Sequence, residues 1–531
     1  MAKVKFTFNG IELEGEEGIP VLLAVTRAGY EIPNYCYFEP LGVAGECRLC
    51  ACEYGEPDKS GQLKMHPKLV MSCQTPVKAG CVVRTDTDNV KTHQRAVMDF
   101  HLANHPLDCP VCDQAGECYL QDYSYRYGPS YSRFNEDKIK QSKKDVGPNV
   151  VLYADRCILC TRCVRFTRDI SGGGELAVWD RGAFSEIDVY PGKLVADKLA
   201  GNVVDICPVG ALLDKQFLFK QRVWDLKPTP SICPRCATGC GIWVDHNSGV
   251  VWRLRPRHNP QVNDYWMCDE GRYGYKFAQA QERLLFCRMR QGTIPFSMDT
   301  DEIVSGIRQA IEPHRAGRVA GVLSPAASCE TQWLLAKYLR EANPKATLVR
   351  GPVFREGSDQ VFKSGFRISA EKVPNRRGAE AILKQLGGSQ MDFAQLAAQA
   401  GQLDLLWIQG HYPWQDWCPP ELAAKFRQAR CLVVEDILPG KLADTADVVL
   451  AGAAWTEMPG SFINDQGLRQ HYERGPGRPA SAQDDLEILW KLARPGVCSM
   501  ETIETELKPI FTTKTPRHQE EKSNIKDQKL K

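Results

Sequence analysis

The first part of the chain alternates hydrophobic and polar residues as a β-hairpin does. Residues 4–13 (VKFTFNGIEL) place Asn-Gly between two alternating runs, and this dipeptide favours the positive φ angles of a two-residue turn. The next stretch, PVLLAVTRAGY at 20–30, has apolar residues at helical spacing, including Val21 and Val25. The chain is therefore predicted to begin with two antiparallel strands and a helix.

From about Arg283 the pattern changes to short apolar runs that alternate with amphipathic segments. Buried strands are predicted for RVAGVLSP, ATLVR, DLLWIQG, CLVVED and ADVVLAGAAW, and a helix for TQWLLAKYLREA. This alternation predicts an open α/β sheet. The last eighteen residues, Lys514–Lys531, contain six Lys or Arg, three acidic residues and no aromatic residue, which predicts a disordered tail or a partner-binding arm.

Length and charge limit the classes of protein that remain. A chain of 531 residues exceeds one ordinary core, so about three to five domains are expected. The formal net charge of +2, from 67 basic and 65 acidic residues, argues against a nucleic-acid or polybasic membrane-binding protein. The longest apolar run, Val448–Trp455, is far shorter than the ~20 residues of a spanning helix. The N-terminus has no apolar signal core, so secretion is not expected.

Cysteine is the unusual component. The chain has 22 cysteines, and seventeen of them lie between Cys36 and Cys268. In a reducing compartment disulfides do not persist, and this chain is long enough to fold without them. Clustered cysteines are then expected to be metal ligands or redox thiols.

The first cysteine set has the spacing of a two-iron centre. One CxxC pair can hold one iron while more distant cysteines hold the second, and glycines between them let the backbone wrap closely around the cluster. Zinc is the competing interpretation, but structural zinc sites usually pair two CxxC motifs. The candidate ligands are Cys36, Cys47, Cys50 and Cys73. Cys52 and Cys81 are predicted to be buried packing residues, with Cys81 as the alternative fourth ligand.

The second set follows a polar helix predicted over residues 89–103. Its candidate ligands are His105, Cys109, Cys112 and Cys118. Three cysteines and one histidine suit either zinc or a 4Fe–4S cluster, and the spacing does not separate the two. His101 precedes His105 by one helical turn and is expected to face solvent.

Two further sets predict 4Fe–4S clusters. CILCTRC with a later Cys-Pro is a ferredoxin pattern, and the absence of a second such run leaves a single cluster. A hairpin predicted within residues 243–256 would return the last distant cysteine to CPRCATGC, with zinc as the alternative. The candidate ligands are Cys157, Cys160, Cys163 and Cys207 in the first set, and Cys233, Cys236, Cys240 and Cys268 in the second.

The succession of these motifs resembles the large iron–sulfur subunit of respiratory complex I, which is the G subunit of bacterial NADH–quinone oxidoreductase. The matching stretches are VAGECRLC, ANHPLDCPVCDQAGECYLQD, CILCTRCVRF, GNVVDICPVGAL and CPRCATGCG with its distant cysteine. They cover residues 1–275 closely and the remainder loosely. The resemblance implies a 4Fe–4S cluster at His105 and Cys73 as the fourth two-iron ligand. It thus implies one 2Fe–2S and three 4Fe–4S clusters, the last of which only some bacterial members keep.

The resemblance also implies an α/β multidomain fold. ADVVLAGAAWTEMPGSFINDQGLRQ resembles the molybdopterin-oxidoreductase fold, which this family keeps without molybdopterin. The expected domains are a β-grasp ferredoxin-like 2Fe–2S domain at 1–85, a 4Fe–4S domain with one histidine and three cysteine ligands at 86–148, a ferredoxin-like 4Fe–4S domain at 149–225, a molybdopterin-oxidoreductase-type 4Fe–4S domain at 226–282, a shortened molybdopterin-oxidoreductase-like α/β domain at 283–500 and a C-terminal extension at 501–531.

The resemblance implies electron transfer with no catalytic residue in the chain itself. Electrons would arrive from an NADH-oxidising flavin subunit and leave toward quinone-side subunits, with a small 2Fe–2S subunit as a further partner. The chain would lie in the peripheral arm, on the cytoplasmic face of the inner membrane, with the Cys233–Cys268 cluster off the main route. The alternatives are an iron–sulfur-rich subunit of an NAD-linked formate dehydrogenase, a hydrogenase, or a structural zinc protein.

Overall fold

The computed structural model describes residues 2–290, 299–477, 484–494 and 496–511. The described chain forms two compact units. The first comprises the residues up to Asp225 together with Phe362–Ser364, and the second comprises Leu226–Val361 and the residues from Gly365 onward. The tail predicted at Lys514–Lys531 lies outside the described residues.

The first unit is built from short strands and helices joined by long loops. Its strands are β1 (Lys3–Phe8), β2 (Ile11–Glu16), β3 (Ala51–Pro57), β4 (Leu63–Met65), β5 (Val70–Met71), β6 (Val82–Arg84), β7 (Lys143–Asp145), β8 (Val150–Tyr153), β9 (Leu176–Trp179), β10 (Glu186–Val189) and β11 (Leu212–Asp214). Its α-helices are α1 (Val21–Arg27), α2 (Asp88–Ala103), α3 (Tyr119–Tyr127), α4 (Arg162–Phe166) and α5 (Asn202–Ile206). A π-helical turn, Thr167–Ser171, continues α4.

The N-terminal sheet has the predicted β-grasp arrangement. Its strand order is β2-β1-β6-β3-β4, with β5 paired to β3, and β1 lies parallel to β6. Asn9 and Gly10 adopt φ angles of 47° and 81°, so the predicted hairpin turn is confirmed. Helix α1 buries Val21, Leu22 and Val25 against this sheet. The sheet is the scaffold from which the first cysteine loop extends.

The polar helix predicted before His105 is also confirmed. Helix α2 begins after Thr87, whose hydroxyl accepts a hydrogen bond from the Val90 amide as an N-cap. One stripe of the helix, including Val90 and Met98, is buried. The helix ends at Ala103, two residues before His105.

The second unit contains a small antiparallel sheet and a larger α/β sheet. Its strands are β12 (Lys227–Ile232), β13 (Gly241–Asn247), β14 (Val250–Pro256), β15 (Arg288–Met289), β16 (Val319–Leu323), β17 (Thr347–Arg350), β18 (Gln360–Val361), β19 (Arg367–Ile368), β20 (Leu405–Gln409), β21 (Cys431–Asp436), β22 (Val448–Ala451), β23 (Gly460–Ile463) and β24 (Arg469–Tyr472). Its α-helices are α6 (Asp269–Tyr273), α7 (Thr300–Ile311), α8 (Cys329–Ala342), α9 (Arg376–Gln385), α10 (Phe393–Gln399), α11 (Pro420–Phe426), α12 (Lys441–Thr445), α13 (Asp485–Ala493) and α14 (Met500–Leu507).

The predicted open α/β sheet is confirmed. Its order is β15-β22-β21-β20-β16-β17, and β16, β17, β20, β21 and β22 run parallel. Every residue of β16, β20, β21 and β22 is buried, because helices cover both faces. Helices α7, α8 and α13 contribute to the core on one face, and α10, α11 and α12 to the core on the other. The sequence pattern does not predict the short antiparallel edge strand β15.

The hairpin predicted ahead of Cys268 is present as β13 and β14. Ser248 and Gly249 form its turn with φ angles of 50° and 81°. Strand β12 pairs with β13 on the other side, so the CPRCATGC loop connects two paired strands. In the part of the chain that the structure describes, no helix combines the length and apolar character needed to cross a membrane.

Candidate metal centres

The loop after α1 brings the first four cysteines together. The thiols of Cys36 and Cys47 hydrogen-bond to each other, as do those of Cys50 and Cys73. The hydrogen bond from Cys47, together with amides of residues 45–47, lowers the pKa of Cys36. Glycine permits this wrapping, since Gly45 has a φ of 76°. The structure thus brings the four thiols together, with amide donors around Cys36.

The spare cysteines of this region lie in the core. Cys52 and Cys81 are fully buried, as predicted for packing residues. Burial raises the pKa of both thiols, and Cys81 contacts Tyr54. Of the two candidates for the fourth position, Cys73 is the one whose thiol hydrogen-bonds to Cys50.

The second set lies in the turn between α2 and α3. The thiols of Cys112 and Cys118 are buried and interact with that of Cys109, which is exposed. His105 has a buried Nδ1 atom with no hydrogen-bond partner. Burial, followed by the charge of Arg156, lowers the pKa of His105 to about 4. The imidazole is therefore neutral near pH 7, with a ring nitrogen free to bind a metal.

The expectation that His101 faces solvent is wrong. His101 is half-buried, and its ring packs edge-on against Tyr35 with centroids 5.1 Å apart. Burial lowers the pKa of His101. It lies three residues after buried Met98, on the same stripe of α2, which explains why a polar residue at this position is covered.

The third set surrounds a cavity. Leu159 and Thr161 adopt left-handed φ angles of 54° and 58°, which curl the CILCTRC loop before α4. The fourth cysteine follows α5, and its sulfur accepts backbone hydrogen bonds from Val209, Ala211 and Leu212. A small cavity between these segments is lined by all four cysteines, Cys157, Cys160, Cys163 and Cys207.

The fourth set lies in the second unit. The loop is closed by a backbone hydrogen bond of 2.9 Å from Cys233 to Cys240. Cys268 is the N-cap of α6, where its sulfur accepts the Gly271 amide at 3.3 Å. The thiols of Cys233 and Cys268 each interact with that of Cys236. The hairpin therefore returns the distant cysteine to its set, as predicted.

The donor sets fit iron–sulfur clusters. Burial raises the pKa of Cys160 to about 11, and those of Cys118 and Cys233 to about 12. Converging buried thiols are deprotonated only when a cation compensates their charge, and metal binding does this. Thiolates also suit zinc, so the donor chemistry alone does not separate zinc from iron.

The second and third sets of the first unit are direct neighbours. A Cβ on Gly210, three residues after Cys207, would lie 2.2 Å from Cys112 Sγ. The Tyr119 amide, next to Cys118, donates to the Pro208 carbonyl at 3.0 Å. The loop after Cys207 therefore packs against the loop that carries Cys112 and Cys118.

Tyr35 connects the first set to the second. The thiols of Cys47 and Cys118 both interact with its buried hydroxyl, and burial is the main reason why the pKa of Tyr35 is raised. Its amide donates to Cys47 Sγ at 3.4 Å, and its hydroxyl donates to Met98 Sδ at 3.2 Å. One aromatic residue thus hydrogen-bonds to the first ligand loop and interacts electrostatically with Cys118 of the second.

Two groups of buried charges are not evident from the cysteine spacing. Arg162 and Arg165 lie within the CILCTRCVRF motif, where the spacing assigns roles to the cysteines alone. In the second unit, His411 Nε2 lies 3.0 Å from Glu435 and 3.4 Å from Asp485, at the carboxyl edge of the parallel sheet. The two arginines could have been found from the sequence, because they lie beside the predicted cysteine ligands. The His411 cluster could not, because its residues are distant in sequence and form no local motif.

Family models match successive parts of the chain. They describe a 2Fe-2S iron-sulfur cluster binding domain (1–88), an NADH-ubiquinone oxidoreductase-G iron-sulfur binding region (94–133), an NADH-quinone oxidoreductase subunit 3 ferredoxin-like domain (147–213), a molybdopterin oxidoreductase Fe4S4 domain (226–280) and a molybdopterin oxidoreductase (359–494). The chain therefore contains 2Fe–2S and 4Fe–4S binding domains followed by a molybdopterin-oxidoreductase-like domain.

Curated relatives give the same result. The G subunit of NADH-quinone oxidoreductase from Rickettsia bellii is 39% identical over 338 residues, which are 64% of this chain and 48% of the relative. The mitochondrial NADH dehydrogenase [ubiquinone] iron-sulfur protein 1 of Solanum tuberosum is 41% identical over 71% of this chain and 49% of its own length. The chain spans about half the length of the curated relatives it matches.

A solved structure is also similar to part of the chain. A chain of NAD+-reducing [NiFe]-hydrogenase in the H2-reduced state is 29% identical over 42% of this chain and 92% of that chain, with a TM-score of 0.37. The family models and the curated relatives agree with the order of the cysteine sets along the sequence. The resemblance predicted from the cysteine motifs is confirmed, and the chain is related to the large iron–sulfur subunit of NADH–quinone oxidoreductase.

Proposed function

We propose that the chain is the electron-conducting iron–sulfur subunit of an NADH–quinone oxidoreductase. The observation that carries this proposal is the close approach of the cysteine sets of the first unit: the loop at Gly210 packs against Cys112, and Tyr35 interacts with both Cys47 and Cys118. A bound iron–sulfur cluster accepts and releases single electrons. Metal sites that are neighbours within one compact unit suit electron transfer from cluster to cluster. Purely structural metal sites would have no need to lie close together.

In this function the protein would bind the clusters and shield them from solvent. The ligands would be the fifteen cysteines and the one histidine predicted from the sequence, giving one 2Fe–2S and three 4Fe–4S clusters. Amide donors around Cys36 and Cys207 stabilise sulfur charge. Burial of most of these thiols keeps water away, and water exposure is one of the factors that set a cluster's potential.

The partners and location follow from the same proposal. The chain would receive electrons from an NADH-oxidising flavin subunit, next to a small 2Fe–2S subunit, and pass them toward quinone-side subunits. It would be held in the peripheral arm on the cytoplasmic face of the inner membrane by those subunits. The relationship to the G subunits of NADH-quinone oxidoreductases supports this placement.

Metal analysis with low-temperature electron paramagnetic resonance (EPR) tests the cluster assignment. The full chain, reconstituted anaerobically, is expected to hold about fourteen irons and as many sulfides, because one two-iron and three four-iron clusters require that number. After reduction, the spectra should show one two-iron signal and separate four-iron signals. A protein that retains mainly zinc under these conditions would refute the proposal.

Reduction by NADH tests the placement in the complex. In membranes that contain the assembled complex, NADH is expected to reduce the signals of the first unit, and a quinone-site inhibitor should keep them reduced. The chain alone should not be reduced by NADH, because no nucleotide site is assigned to it. Reduction by formate or hydrogen instead of NADH would favour the dehydrogenase or hydrogenase alternative.

A further inference from the structure

Two buried arginines lie between the first and third cysteine sets. Arg162 and Arg165 are 6% and 7% exposed, and both belong to α4, which begins inside the CILCTRC loop. Burial of a cation is strongly unfavourable unless a negative charge compensates it. The groups that carry the compensating negative charge therefore indicate the function of the two arginines.

The hydrogen bonds of both guanidinium groups go to backbone carbonyls. Arg165 donates to the carbonyl of Cys36 and, at 3.1 Å each, to those of Leu41 and Gly42. Arg162 donates to the carbonyl of Tyr37 at 2.6 Å and to that of Ile206 at 3.3 Å. Each arginine thus connects α4 to the loop that carries Cys36, and Arg162 also reaches the residue before Cys207.

Carboxylates in the described part of the chain do not pair directly with these two arginines. Within the described residues, neither guanidinium forms an ion pair with an aspartate or glutamate, and both Nε atoms are buried without a hydrogen-bond partner. Other buried arginines of the chain do have such partners, as Arg156 has Asp108 at 2.8 Å and Arg283 has Glu457. The negative charges that interact with Arg165 are chiefly those of the Cys160 and Cys36 thiols, with a smaller effect of Glu46.

We propose that Arg162 and Arg165 are positioning residues that raise the reduction potentials of the clusters bound at the Cys36 and Cys157 sets. This inference rests on the proposed function, since it requires clusters at both sets. An iron–sulfur cluster held by thiolates is anionic and gains negative charge on reduction. A fixed, desolvated cation beside it therefore stabilises the reduced form more than the oxidised form. Because Arg165 contacts the Cys36 loop and interacts with Cys160, its charge acts on both clusters.

Redox titration monitored by EPR tests the proposal on the full chain. Arg165→Gln is expected to lower the midpoint potentials of the two-iron signal and of the Cys157-set signal. Arg162→Gln is expected to lower at least the latter, because Arg162 interacts with Cys160 and Cys207. Arg165→Lys keeps the charge but loses the planar fork, so its potentials should stay near those of the unmodified protein.

Arg168→Gln is the matched control. Arg168 lies three residues after Arg165, is exposed and pairs with Asp169, so its charge is screened by solvent. Shifts in the Arg165→Gln and Arg162→Gln proteins no larger than those of this control would overturn the proposal. An Arg165→Lys protein with potentials as low as those of Arg162→Gln would also overturn it, even if Arg165→Gln fails to assemble. Absence of the signals from the unmodified protein would instead refute the proposed function.

Discussion

At the scale of single residues, His105 is the ligand whose assignment can be tested most directly. Its Nδ1 is buried without a partner and its imidazole is neutral near pH 7, both of which suit a metal ligand. His105→Ala is expected to lose or degrade one four-iron EPR signal and leave the others. His105→Cys should keep that cluster at a lower potential, because a thiolate adds negative charge.

His101 provides the matched control for this experiment. Its ring packs on Tyr35, so His101→Ala removes a ring contact without removing a ligand. All cluster signals are expected to remain in that variant, with at most a modest loss of thermal stability. Loss of the cluster in His101→Ala and its retention in His105→Ala would show that the ligand assignment is wrong.

His411 is a second residue whose charge has a measurable consequence. Burial opposes protonation, but the charge of Asp485 and a hydrogen bond to Glu435 raise the pKa of His411 to about 9. Because the pKa is raised on folding, the resulting stabilisation is complete below about pH 6.5 and is lost as the pH rises through about 9.

Thermal unfolding of the full chain checks this pH dependence. Tryptophan fluorescence is a suitable probe, since Trp407 donates to Glu435 at 3.3 Å and Trp417 donates to Asp436 at 2.8 Å. The Tm should fall between about pH 6.5 and 9.5, and His411→Asn should flatten that fall. Asparagine is chosen because it tolerates the φ of 66° at this position. An equal fall of the Tm in the His411→Asn variant and in the unmodified protein would contradict the raised pKa of His411. His66→Asn, at an exposed histidine, serves as the control.

At the scale of secondary-structure elements, the sequence predicts those strands and loops that are determined by residues close together in the chain. The β1–β2 hairpin follows from its Asn-Gly turn, and the parallel strands follow from their continuous apolar runs. The cysteine sets come together as their spacing predicts. The two-residue edge strand β15 has no such pattern, because it pairs only with β22 at the edge of the sheet.

Contacts between elements distant in sequence could not be predicted. The His411 cluster combines residues that follow β20 and end β21 with the first residue of α13, and its carboxylates become neighbours only when the sheet forms. The wrong prediction for the exposure of His101 has a related cause. A polar side chain on a polar helix suggests solvent, whereas Tyr35 of another loop covers it.

Substitution of two glycines beside the cysteine sets tests how closely the neighbouring loops pack against the ligands. A Cβ at Gly210 would lie 2.2 Å from Cys112 Sγ, and one at Gly271 would lie 2.9 Å from Cys233 Sγ. Real Cβ atoms do not approach sulfur so closely, so Gly210→Ala should perturb the His105-set cluster and Gly271→Ala the Cys233-set cluster. Each variant is the control for the other. EPR spectra in which both substitutions affect the same signal, or neither affects any, would contradict this packing.

At the scale of the whole molecule, parts of the second unit match molybdopterin-oxidoreductase family models, yet we expect no molybdenum cofactor. Ligands of open α/β sheets bind at the carboxyl edge of the strands. In this chain, buried carboxylates hydrogen-bonded to their neighbours lie at that edge, namely Glu435, Asp436 and Asp485, against the single imidazole of His411. These side chains are hydrogen-bonded to one another and to the backbone, and the chain has no GxGxxG or GxxxxGK[ST] loop, which is the strongest sequence cue for binding the phosphate of a cofactor. Elemental analysis of the purified full chain, expressed with molybdate and tungstate supplied, should find neither metal in stoichiometric amount while iron is present. Stoichiometric molybdenum accompanied by formate oxidation would overturn this prediction and favour the formate dehydrogenase alternative.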